Sequence, residues 1–150
     1  MKSILARAGL LLLALGALSL PARASQPVKS QFASQSEALL AANLFAKSIG
    51  GRLIITSGTR SMEPLIHGKT YVVIAHQPYT SIAKSDLLVY IGRPDASKPD
   101  RKTILHRAVL HDSYGWMMSG DNNRWSESWD RVTEGNYMGK VVAIFAFPQA

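Results

Sequence analysis

The sequence predicts a mainly β domain led by a single helix. Short β-branched and aromatic runs, Tyr71–Ala75, Asp86–Ile91, Lys102–Leu110 and Gly139–Phe147, are separated by stretches rich in Gly, Pro, Asn and Asp. Only Ser36–Ile49 repeats apolar residues at helical spacing, with Leu40/Leu44 and Ala41/Phe45/Ile49 four apart. No internal repeat, low-complexity tract or nucleotide-binding glycine loop interrupts this pattern.

Met1–Ala24 reads as an export signal. Lys2 and Arg7 form the positive front, Ala8–Leu20 the apolar stretch, and Ala22-Arg23-Ala24 a small-x-small cleavage site after the breaker Pro21. A membrane-spanning helix needs about 20 apolar residues, and this run is shorter. The competing reading is an uncleaved anchor. Either way the expected location is exported, periplasmic or otherwise extracytoplasmic. The 17 bases and 10 acids give a net charge of +7, which falls to +4 once Lys2, Arg7 and Arg23 leave with the signal. That balance suits an anionic membrane surface and is no argument for a nucleic-acid partner. The chain has no cysteine, so thiol catalysis, thiolate–metal sites and disulfides are excluded. One hundred and fifty residues allow a single domain with a real core, here 36–150.

In order, 25–35 is polar and is expected to be a linker. Ser34 three residues ahead of Glu37 is a capping box for the helix, which Gly50-Gly51 ends. Leu53–Thr56 is a strand. Gly58 and Pro64 break the chain between it and Tyr71–Ala75. His76–Lys84 is a connection, and Gly92–Arg101, with two prolines, a surface loop. In Lys102–Leu110 a period of two puts Ile104, His106, Ala108 and Leu110 on one face and Leu105, Arg107 and Val109 on the other. Tyr114–Met118 is a short strand returning from the turn His111-Asp112-Ser113.

The loop Ser57–Gly68 presents Ser61 at an irregular point between two strands. By itself this says little, because Ser in a Gly/Pro loop commonly bonds its own turn. The words around it are more specific. Ser61-Met62-Glu63-Pro64 resembles the nucleophile box of the type I signal peptidase superfamily. Ile104-Leu105-His106-Arg107-Ala108-Val109 resembles the His-Arg box of the endoplasmic-reticulum and archaeal branch, where His replaces a Lys base. Ser119-Gly120-Asp121-Asn122-Asn123 resembles the family's Gly-Asp-Asn box, and all three occur in the family's order. The resemblance spans Leu53–Phe147. It departs after Asn123: Ser126 keeps step, but Ser128-Trp129 stand where Asp-Ser is expected, and Glu127 falls where the His-using branch has a second Asp.

The resemblance implies a coiled antiparallel β fold and a serine endopeptidase that processes signal peptides or other secreted polypeptides, cutting after small residues. It implies Ser61 as nucleophile, His106 as general base and Asp121 as the acid that orients the imidazole, with Asp130 a second candidate for that acid. Thr59 and the Ser61 N–H would form the oxyanion hole, and Met62 and Pro64 would meet substrate. The chemistry is coherent: a hydroxyl needs a base to attack, and His has an unperturbed pKa near neutrality. Lys84 and Lys102 are the rival bases. No cofactor is implied, and His67, His76, His106 and His111 lack metal-ligand spacing. Two other readings compete. A non-catalytic binding module would have kept the fold, and a self-cleaving DNA regulator is disfavoured by the export signal and by the lack of a helix-turn-helix.

Overall fold

The computed structural model describes residues 26–56, 58–93 and 102–149, except for the side chains of 127–130. The described residues form a mainly β structure: one helix and a curled antiparallel sheet resembling half a barrel. The strands are β1 (Val28–Gln31), β2 (Arg52–Ile55), β3 (Tyr71–Ala75), β4 (Leu87–Ile91), β5 (Thr103–Asp112), β6 (Gly115–Ser119), β7 (Glu127–Val132) and β8 (Tyr137–Ala146). Helix α1 spans Gln35–Ser48. The sheet order is β2-β3-β8-β4-β5-β6-β7, so the last strand lies in the middle and ties both halves together. Met1–Ala24, expected to be an export signal, and most of the Gly92–Arg101 loop lie outside the described residues.

The stretch expected to be a linker is in part a strand. β1 pairs parallel to β8, from Val28↔Ala143 to Gln31↔Ala146. Its sequence, Val-Lys-Ser-Gln, has no apolar alternation to announce it. The pairing comes from the partner: β4 pairs with β8 over Tyr137–Lys140, which leaves that edge open further along. Phe32 then stacks on Phe145 with ring centroids 5.8 Å apart.

Helix α1 starts as its cap predicts, with Ser34 Oγ accepting from the Glu37 N–H at 3.3 Å. It ends at the glycine pair, where the Gly51 N–H donates to Ala46 O at 2.8 Å. Its buried face differs from the expected one. Ala38, Ala42 and Ala46 are buried, while Leu40 and Leu44 are 62% and 60% exposed. Alanines let the helix lie close on Tyr71, Val73, Ala143, Phe145 and Phe147, with Ala41 and Phe45 at the margin; bulkier leucines would hold it off.

Strand parity divides the rest of the core. Val72, Ile74, Leu87, Val89, Val141 and Ile144 point to one face, where Met62 and Ile66 cover them. Leu88, Tyr90, Ala108, Met118 and Val132 point to the other, covered by Ile82 and Tyr79 from the 3-10 turn Tyr79–Ser81. A register shift between Ala108 and Leu110 breaks the period of two in β5, so Leu110 pairs with Met117 and lies exposed instead of continuing the His106 face. β7 was not foreseen; its run is polar, and it is recruited as an edge partner for β6.

A buried ion pair fastens β8 to the end of β4: Lys140 Nζ lies 2.8 Å from Asp86 Oδ2, with both side chains almost fully enclosed. The Ala83 N–H also donates to Oδ2, at 2.9 Å. On the same face Tyr137 is pushed up to about 12, first by burial and then by the Asp86 charge.

Candidate functional site

Ser61 sits in the 56–70 loop between β2 and β3, and the reason for its position is local. Gly58, at φ +76, turns the chain out of β2 in a conformation open to glycine. Thr56 closes the base of the loop. Its N–H donates to Thr70 O at 2.9 Å, and its Oγ1 accepts from the Thr70 N–H at 2.8 Å. Within the loop, Met62 and Ile66, buried and four residues apart, are driven into the core between β3 and β4. These two apolar anchors leave Ser61 at the rim. Its Oγ is 3.3 Å from Thr59 Oγ1. Glu63 lies between Arg60 Nε at 3.1 Å and His67 Nδ1 at 2.9 Å, and the Arg60 hydrogen bond holds its carboxyl below the usual range.

The turn after β6 clamps this loop from the other side. The Asn122 N–H donates to Ser61 O at 2.9 Å, and Asn122 Nδ2 donates to Arg60 O at 3.1 Å. Gly120 makes the approach feasible, because a Cβ there would stand 2.5 Å from the Ser61 carbonyl oxygen. The Gly-Asp-Asn box is therefore more than a turn: its glycine and first asparagine hold the backbone of the serine loop.

β5 forms the opposite wall. His106 is buried and pairs across to Leu88, on the face of Ile104 and Ala108. Its neighbour Arg107 faces the other way and takes Asp121 with both arms, Nε to Oδ1 at 2.7 Å and Nη2 to Oδ2 at 2.6 Å. Arg107 Nη1 also donates to Ser85 O at 2.9 Å. The acid expected to orient His106 thus has both carboxylate oxygens engaged by Arg107. Asp130, the second candidate, has its side chain outside the described residues.

Between the walls lies a cleft of about 380 Å³ lined by Ser61, Thr59, Thr56, Met62 and Ile66 on one side and by 102–106 on the other, with Asn123 at one end. Ser61, Thr59, Met62 and His106 thus come together. Pro64 is exposed and absent from the lining, as is the rival base Lys84; Lys102 lines the cleft. One feature was not foreseen. β4 pairs with Thr103–Arg107 along one edge of β5, whereas β6 takes up the other edge only from Arg107 onward. The residues 103–106 that line the cleft therefore have an edge that no described strand occupies. The sequence signal for it was the run Lys102–His106 preceding the hairpin, but the strand length alone did not say where β6 would stop.

Among the described residues no three His, Asp or Glu side chains converge to hold a metal ion, and no helix is long and apolar enough to cross a membrane. Compared with protein-family models, curated proteins and solved structures, the chain matches none of them.

Proposed function

We propose that the protein is an exported serine endopeptidase of signal peptidase type, acting at or near a membrane surface on an extended polypeptide. The observation that carries this reading is that Ser61 and His106, far apart in sequence, line one cleft together with Thr59 and a strand edge that no described strand occupies. The substrate adds to that edge as a further strand, its main chain bonded to 103–106. Ser61 Oγ attacks the scissile carbonyl while His106 removes the hydroxyl proton; the imidazolium then returns that proton to the departing amine. The Ser61 N–H and the Thr59 hydroxyl receive the charge that develops on the carbonyl oxygen. Asp121 acts at one remove, fixing Arg107 on the face of β5 opposite the base. Met62 meets the substrate, and the preference for small residues before the cut follows the family resemblance.

Cleavage of alanine-rich preprotein segments by the full chain, with Ser61→Ala and His106→Ala alongside, tests the reading. Both variants are expected to lose roughly 10⁴-fold or more in kcat/KM, as members of a unit do. Loss with Ser61→Ala alone moves the base elsewhere, and no cleavage by the wild type overturns the peptidase. In that case a peptide-binding module remains.

A further inference from the structure

Apart from the imidazole of His106, every described residue lining the cleft is uncharged except one. Thr56, Thr59, Ser61, Thr103 and Asn123 are neutral and polar, Met62, Ile66, Ile104 and Leu105 are apolar, and Lys102 carries the single fixed charge. Lys102 is exposed at the point where the chain enters β5, makes no ion pair with a described residue, and no acidic residue is among the described residues of the lining. A cation with no described ion-pair partner, beside a strand edge that no described strand occupies, acts on whatever side chains an added strand brings past it. Extended residues advance about 3.3 Å each, so Lys102 lies about 13 Å along the strand from His106. We propose that Lys102 selects polypeptides carrying an aspartate or glutamate roughly three to five residues from the scissile bond, on one side of it. This departs from recognition by small neutral residues alone. It rests on the reading of the cleft as a peptide site.

The test scans a single Asp through an alanine-rich peptide, on both sides of the bond. Binding is read by fluorescence anisotropy on the full-length Ser61→Ala protein, and cleavage on the wild type. One position in the expected range should bind roughly threefold more tightly than Ala, the weight of an exposed ion pair, and the gain should fade as salt rises. Lys102→Glu should reverse it, so that Lys at that position becomes the better residue. A flat scan, or a preference that survives Lys102→Glu, overturns the inference. The two proposals fail separately: cleavage without an Asp preference removes the selectivity and leaves the peptidase, whereas an Asp preference in binding without any cleavage removes the peptidase and leaves the selectivity.

Discussion

Gly120 shows how one residue can set a site without touching a substrate. Its missing side chain lets the Asn122 N–H reach the carbonyl of Ser61, so the serine is held by the turn after β6 as well as by its own loop. The obstacle to a larger residue is backbone and cannot swing aside. Gly120→Ala is expected to displace the serine loop and lower kcat/KM for the proposed cleavage by roughly a hundredfold, the effect of a misplacement near 1 Å. The melting temperature should fall less steeply, because Gly120 is buried only against the serine loop and residues 121–126 beyond it are exposed. Equal losses of activity and of folded protein would show that the contact holds the fold rather than the site. That the segment around Ser61 is irregular was readable from local chemistry, in Gly58 and Pro64, whereas singling out Ser61 itself needed the likeness of the Ser61–Pro64 box to a known family. That Asp121 pairs with Arg107 was not readable, because it depends on which face of β5 each residue takes.

Helix α1 is read correctly in extent and incorrectly in orientation, and the two have different causes. Its ends are set by Ser34, Glu37 and the glycine pair, all local groups. Its inward face is set by the sheet, which accepts the Ala38/Ala42/Ala46 stripe because Tyr71, Phe145 and Phe147 already fill the space. Hydrophobicity by itself would have chosen the leucines. Ala42→Leu is therefore expected to overpack and destabilise by about 1–3 kcal/mol, whereas Leu44→Lys should change stability by no more than about 0.5 kcal/mol. Urea unfolding of both variants checks this, and the reverse ranking would place the leucines inside. β1 carries the same lesson: an unpatterned segment becomes a strand where an ordered partner offers a free edge.

Across the whole molecule, β8 joins the α1 side of the sheet to the cleft side, and the Asp86–Lys140 pair is its polar fastening. A buried ion pair is weak evidence of net stabilisation, yet removing one partner is costly. Lys140→Met leaves the Asp86 carboxyl enclosed without its cation and should cost roughly 3–5 kcal/mol, much of the 5–15 kcal/mol that holds a domain together. Asp86→Leu combined with Lys140→Met should regain most of that loss. Chemical denaturation of the single and double variants decides it: a single variant as stable as the wild type would mean that the pair is solvated and dispensable.

The sequence alone determined the class of the fold, the extent of most strands, the helix cap and the three segments that build the cleft, because these depend on side-chain periodicity and on turn chemistry within a few residues. The tertiary structure decided which helix face is buried, that a polar segment becomes β1, that Arg107 rather than His106 holds Asp121, and that no described strand occupies the edge of 103–106. Each of these turns on register and strand order, and a single bulge, such as the one near Val109, reverses the face of every residue beyond it.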